Sequence, residues 1–364
     1  MCAAGEENMC YSAGGGGTLV HKELEFSGPG TVRLVPMPAP RPNRGEALVT
    51  TLYSGISAGT ELTAFAGTNP YLHRRWDPER RLFRAGEPTF PYPLRGWGYE
   101  EVGQVTDVGE GVDRDLIGAA VWGIWGHKSA ATLPEATVRQ QRLGPEVPPV
   151  CGVFARPAAV ALNALLDADP RLGEMLVIFG QGVIGLLLTA LAASAGANVV
   201  AVDPIPQRLT LARQFGAAMV VSEPAEAAET VRDLTGNRGA PAAVDVSGNP
   251  AALHEAIRSV GLNGLVVAAG FYQGAMDALR LGEEFHHNRV RLVSSQIGAV
   301  APALSNRWDT GRLHQDVMAR ITDGRLDPAP LVTHRFPAER SQAAYDLLNS
   351  GDPGVLQVVL EFGD

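Results

Sequence analysis

The chain is predicted to be an α/β protein in which a doubly wound parallel sheet is inserted into a second, β-rich unit. Three observations predict it. An apolar run at 175–179 leads into a glycine-rich turn, an apolar helical stretch to about 195, and a second apolar run at 198–202 ended by Asp203. Further runs at 219–221, 243–246, 265–268 and 290–294 repeat the rhythm with helical segments between them, which makes six strands. Ahead of this core the texture changes. Segments 45–52, 102–108 and 119–122 are short and strand-like, parted by Gly and Pro, and a strand-like segment returns at 355–362.

Taken in order, residues 1–17 carry two acidic residues, no basic ones and the run Gly14, Gly15, Gly16, Gly17. Polyglycine does not recover its ordering entropy, so a flexible tail is expected; the charged and apolar regions of a secretory signal are missing. A length of 364 residues suits two domains. The expected division is 18–155 together with 300–364 for the β-rich unit, and 156–299 for the parallel sheet. With 45% hydrophobic and 19% charged residues, the composition is that of an ordinary globular protein. A net charge of -9 argues against a nucleic-acid partner. No apolar run reaches the roughly 18 residues of a membrane span, so no membrane partner is expected. Cys2, Cys10 and Cys151 lack CxxC spacing, which supports neither a disulfide framework nor a cysteine-rich metal lobe and points to the cytoplasm.

The glycine-rich turn carries the strongest chemical signal. Gly180, Gln181, Gly182, Val183, Ile184 and Gly185 form GxGxxG between a strand and a helix. Gly180 permits the tight turn, Gly182 lets backbone approach a pyrophosphate, and Gly185 lets the helix pack closely on the strand. The helix N-terminus then offers free N–H groups and a favourable dipole to the phosphates. Asp203 is placed to accept hydrogen bonds from the adenosine ribose hydroxyls and to repel a 2′-phosphate. That favours NAD; Arg208, five residues on, keeps NADP open. Ser247 and Gly270 sit at strand ends facing the same crevice and are expected to contact the cofactor through backbone.

Beyond the turn, the chain resembles the medium-chain dehydrogenase/reductase superfamily, and within it the zinc-type alcohol dehydrogenases. The residues that carry the resemblance are Gly55, Ile56, Ser57, Ala58, Gly59, Thr60 and Glu61; Gly98, Tyr99 and Glu100; the segment 103–109; and GxGxxG itself. The segment 333–337, with Ala344 and Tyr345, also fits. Ser54 to Ser57 followed by Gly59, Thr60 and Glu61 looks closest to the bacteriochlorophyllide dehydrogenase-like branch. The resemblance implies a GroES-like β-rich catalytic domain, a Rossmann coenzyme domain, hydride transfer in the cleft between them, and a homo-oligomer, either dimer or tetramer.

The zinc-dependent members carry a Cys, a His and a later Cys or Glu at three positions where this chain has Ser57, Tyr99 and Arg156. Serine is a poor zinc ligand, tyrosine rarely serves at neutral pH, and arginine cannot coordinate a cation. No metal ligand is therefore assigned and zinc is not expected. Without a metal, the protein must stabilise charge on the reacting oxygen and move one proton. Thr60 matches the hydroxyl that begins the relatives' proton relay. Tyr99 offers a phenol, and Arg156 a fixed positive charge. Glu100 stands beside them; alternatively Glu100 or Glu61 is the carboxylate that pairs with Arg156. Tyr99 as cavity filler and Thr60 as a helix cap are the plainer alternatives.

The leading expectation is an NAD(P)-dependent oxidoreductase acting on a small molecule, a secondary alcohol or ketone of the sugar, cyclitol or secondary-metabolite kind. A zinc-free enoyl or quinone reductase and a non-catalytic nucleotide-binding protein are the alternatives. Two clusters remain. Arg74, Arg75, Arg80, Arg81, Arg84 and Arg95, interleaved with Tyr71, Trp76, Phe83 and Tyr92, form either a substrate lid or a solvated loop with surface ion pairs. Residues 283–289 carry Glu283, Glu284 and the adjacent His286 and His287, which would point apart in an extended chain.

Overall fold

The computed structural model describes residues 20–362, so the expected tail with Cys2 and Cys10 lies outside the described residues. Six strands form one parallel sheet in the order Met219–Val221, Asn198–Val202, Met175–Phe179, Ala240–Asp245, Val260–Ala268, Arg291–Ser294. Strand order reverses between Met175–Phe179 and Ala240–Asp245, whose C-terminal ends open a crevice of the kind that takes a nucleotide. The fifth strand begins at Val260 rather than at 265, because the chain turns extended as soon as the helix Pro250–Ser259 ends.

A second sheet has the order Val332–Pro337, Gln357–Glu361, Glu46–Ile56, Glu101–Val108, Ala120–Gly123, with Ala130–Pro134 also pairing onto Glu46–Ile56. Along Glu46–Ile56 the residues Ala47, Val49 and Thr51 are buried in alternation, the period of a strand with one face on a core. Strands from both ends of the described chain thus close one sheet. The parallel sheet is built from the residues between them. Lys22–Gly28, Thr31–Pro36 and Leu94–Arg95 make a small third sheet.

The largest core cluster joins the two regions. Its axis is the helix Ala155–Ala168, which packs against Val183–Ser194 and Thr310–Thr322 and buries Ala158, Ala159, Ala161 and Ala164, small residues that admit close neighbours. One expectation needs correction here. The helical turns Pro149–Phe154 and Ala155–Ala168 join into a 20-residue stretch long and apolar enough to cross a membrane. Protein covers 78% of its best window, so packing between helices accounts for its apolarity. Helix starts follow local chemistry. Asn249 accepts from the Ala251 N–H at 2.8 Å with Pro250 following it, and Asp309 accepts from the Arg312 N–H at 2.7 Å.

The glycines of the turn are not equivalent. A Cβ on Gly185 would lie 1.8 Å from the Gly180 carbonyl oxygen, whereas one on Gly182 would meet nothing within 4 Å. Gly185→Ala is therefore expected to destabilise the fold by about 3 kcal/mol, the upper end of overpacking effects. Gly182→Ala should leave stability unchanged and weaken coenzyme binding alone. Urea melts beside coenzyme titrations of both variants check this, and equal stability losses would contradict it.

Candidate active site

Ser57 follows the strand Glu46–Ile56 and stands at the N-cap of the helix Ala58–Phe65, yet its hydroxyl does not cap that helix. Its backbone N–H donates instead to Glu61 Oε1 at 2.9 Å. The Ser57 hydroxyl hydrogen-bonds the Tyr99 phenol, and Tyr99 Oη donates to Thr60 Oγ1 at 3.2 Å. Thr60 is not a cap either; it lies inside the helix and its carbonyl accepts from Thr63 Oγ1 at 2.6 Å. Three hydroxyls thus form one chain. Gly98 permits it: its φ is +106°, and a Cβ there would lie 2.8 Å from Glu101 Oε1 and 3.0 Å from the His127 ring. Burial, then the charge of Glu100, raises the Tyr99 phenol above its usual range, so it stays protonated and acts as a donor.

Behind the hydroxyls lies a fully buried polar network. His127 Nε2 is 2.6 Å from Glu61 Oε2, which also accepts from the Tyr345 phenol, and His127 Nδ1 is 2.7 Å from Ser54 Oγ. Ser54 Oγ donates to Glu101 Oε1 at 3.2 Å, while Glu101 Oε2 accepts from the Trp125 N–H at 2.8 Å. Glu100 takes a 3.0 Å hydrogen bond from Gln357 Nε2. Burial, then repulsion from Glu61 and Glu101, pushes the Glu100 carboxyl well above the usual range. Burial likewise pushes Glu101 up to about 7. For His127 burial acts downward, but Glu61 and then Glu101 outweigh it and raise its value.

These shifts fix a pH dependence. An acid whose folded value is raised destabilises the fold as it ionises, so the Glu101 penalty grows between its ordinary 4.5 and about 7 and is complete above. It amounts to roughly 3 kcal/mol. The raised His127 works in the same direction, since its stabilising contribution is lost as pH climbs through its folded value. Stability is thus expected to fall from mildly acidic toward neutral pH, and Glu101→Gln should flatten the fall in the window 4.5–7. Chemical denaturation at pH values across that window checks it; an unchanged slope in the variant would contradict it.

Arg156 is the second residue of the helix Ala155–Ala168 and is half-buried. Among the described residues it has no ion pair with a carboxylate, so the expected alternative of pairing with Glu100 or Glu61 is corrected: Glu61 is taken by His127 and Glu100 by Gln357. Burial lowers the guanidinium, while Tyr99 acts on it in the opposite sense. Its other close electrostatic neighbour is His314, lowered first by burial and also by Arg156. His314 stacks on Trp122 at 5.5 Å and gives Nδ1 to the Thr310 carbonyl at 2.7 Å.

The cleft at the switch point has a volume of about 930 Å³ and runs from Asp203 and Arg208 to Ser57, Gly59 and Glu100. Gly180, Gly182, Val183, Ile184 and Gly185 line it, with the N-terminus of the 12-residue helix Val183–Ser194 facing in. Gln181 does not line it. Its side chain is buried, accepting from Thr189 Oγ1 at 3.0 Å, and its backbone N–H donates to Asp203 Oδ2 at 2.7 Å. Asp203 Oδ1 accepts from the Ile205 N–H at 2.9 Å, so this carboxylate also orders the turn. Arg208 Nη1 lies 3.9 Å from Asp203, and its buried Nε has no partner. Ser247 lines the cleft with its hydroxyl on Asp245 at 2.6 Å. Gly270 is not on the lining; a Cβ there would lie 2.4 Å from the Gly248 nitrogen, so its role is close backbone packing.

The arginine-rich insert resolves into a hairpin, Arg75–Asp77 with Leu82–Arg84. Tyr71, Trp76, Phe83 and Phe90 pack together there, and Arg84 pairs with Asp77 at 3.2 Å. Arg95 is tied to the buried Glu25 at 2.6 Å. His286 and His287 follow a helical turn instead of an extended run, with ring centroids 5.5 Å apart. Sequence reasoning missed His127, Gln357 and His314 as parts of the site. Of the buried network, Ser54, Glu61 and Tyr345 carried a signal, as parts of the family resemblance.

Comparison with known proteins bears on the fold and the class of activity. The family described as zinc-binding dehydrogenase matches residues 183–311. The chain is 26% identical over 284 residues to D-guloside 3-dehydrogenase of Escherichia coli K12, covering 75% of this chain and 80% of that protein. It is 32% identical over 215 residues to L-threonine 3-dehydrogenase of Bacillus subtilis, covering 57% of each. Among solved structures, 2R,3R-butanediol dehydrogenase from Bacillus subtilis superposes with a TM-score of 0.73 at 20% identity, covering 94% of this chain and 99% of that one. Other structures of this fold hold NADH, NADP or NAD.

Proposed function

Because the chain belongs to the medium-chain dehydrogenase/reductase superfamily and is an NAD(P)-dependent oxidoreductase, we propose that it interconverts a secondary alcohol of a polyol or sugar and the corresponding ketone without a catalytic zinc. The observation that carries this reading is the Ser57–Tyr99–Thr60 hydroxyl chain beside Arg156, which meets the cleft through Ser57 at the end away from Asp203. A hydroxyl, a phenol and a guanidinium do not fit a zinc ion, and the one carboxylate among them, Glu100, is already held by Gln357.

The coenzyme supplies or accepts the hydride when bound. The residues present fit it: Gly182 leaves open space for a pyrophosphate, and Asp203 with Arg208 closes the far end of the cleft. NAD is the proposed coenzyme on account of Asp203, and the unpartnered Arg208 Nε favours NADP as the second reading. In the reducing direction Tyr99 Oη donates its proton to the carbonyl oxygen. Ser57 and Thr60 hold the phenol in position and return a proton to it. Arg156 supplies the positive field that stabilises the oxyanion, and Glu100 is the raised carboxyl at the cleft available to exchange the proton.

The test is turnover with NAD and with NADP across a panel of polyols, sugars, simple secondary alcohols, ketones and enones. The reading predicts oxidation of polyols or sugars and reduction of the ketones they yield. Activity confined to enones, or coenzyme binding with no turnover of any compound, would overturn it.

A further inference from the structure

We propose that His254, Glu283 and Glu284 form a divalent-cation site on the wall of the coenzyme cleft, separate from the Ser57, Tyr99 and Arg156 set. His254 lies on the helix Pro250–Ser259, and the two carboxylates come from the turn Leu281–Phe285. One ligand atom from each of the three lies within 4.8 Å of the others. Consecutive residues of a regular helix diverge by about 100°. Glu283 departs from helical geometry, with φ -94° and ψ -126°, and so brings its own carboxylate and that of Glu284 toward one point.

A second observation is independent of that proximity. Nδ1 of His254 and Oε2 of Glu284 are both buried with no hydrogen-bond partner. Buried polar atoms are ordinarily satisfied, so two unpartnered ones in a single His/Glu cluster are lone pairs available to a cation. The neighbouring cations leave those atoms free: Arg258 Nε takes Glu284 Oε1 at 3.3 Å, and Arg280 Nη1 lies 3.8 Å from Glu283. One imidazole and two carboxylates suit zinc or a similar borderline ion, with water completing the shell. His254 and Arg280 also line the cleft. A cation here would tie the helix Pro250–Ser259 to the turn Leu281–Phe285.

The experiment is titration of chelator-treated, full-length protein with Co2+, read by its visible absorption, and with Zn2+, read by calorimetry. One ion per subunit is expected, with affinity lowered more than tenfold in His254→Ala and in the isosteric Glu284→Gln, and unchanged in Ser57→Ala and Tyr99→Phe. Circular dichroism establishes that each variant is folded, and Glu284→Gln alone decides the matter if His254→Ala is not. Absence of saturable binding, or binding indifferent to Glu284→Gln, overturns the site. Binding abolished by Ser57→Ala places the metal at the hydroxyl chain and overturns the zinc-free mechanism as well.

Discussion

Tyr99→Phe is expected to lower kcat by roughly 10²–10⁴-fold, the range associated with a positioned acid or base. Coenzyme affinity should stay within about twofold, because Tyr99 is not among the residues lining the coenzyme cleft. The physical reason is specific. The phenol is raised above its usual range by burial and by Glu100, so it is a donor throughout the neutral range, and its neighbours Ser57 and Thr60 are hydroxyls that relay protons without themselves ionising. Removing one oxygen breaks the chain at its centre while leaving the ring that fills the space. Stopped-flow single turnover separates chemistry from product release here. A variant that keeps full turnover would reduce Tyr99 to a cavity filler.

His127→Ala is expected to destabilise the protein by about 3–5 kcal/mol, the effect of breaking a buried ion pair by removing one partner. His127 is enclosed between Glu61 at 2.6 Å and Ser54 at 2.7 Å, with Glu101 one hydrogen bond further on. Its loss leaves two buried carboxylates without their cation. Because the His127 value is raised, the loss should be largest at mildly acidic pH and shrink as pH rises past that value. Urea denaturation at two pH values reads both features. A loss below about 1 kcal/mol, or one independent of pH, would mean that His127 is neutral and merely packed.

The coenzyme half was legible because its chemistry is local. Gly180 and Gly185 are demanded by backbone geometry within six residues, and alternation of apolar strand with helix is a short-range pattern. The hydroxyl chain was half legible. Ser57, Thr60 and Tyr99 stand in motifs, but whether they touch depends on pairing between Glu46–Ile56 and Glu101–Val108. The buried network was legible only as separate pieces, Ser54, Glu61 and Tyr345, each part of the family resemblance. His127 meets Glu61 across 66 residues and Tyr345 meets Glu61 across 284, distances at which spacing carries no information. His254 was passed over for the same reason, since Glu283 and Glu284 reach it only through a kink in a short turn.

The measurement that tests the central claim most directly is turnover of the chelator-stripped protein before and after zinc is returned, in the wild type and in Glu284→Gln. The account predicts that both stripped proteins keep more than half their activity and gain nothing from zinc. A loss of tenfold or more, restored by zinc equally in the two proteins, would contradict it and return the reaction to a metal centre.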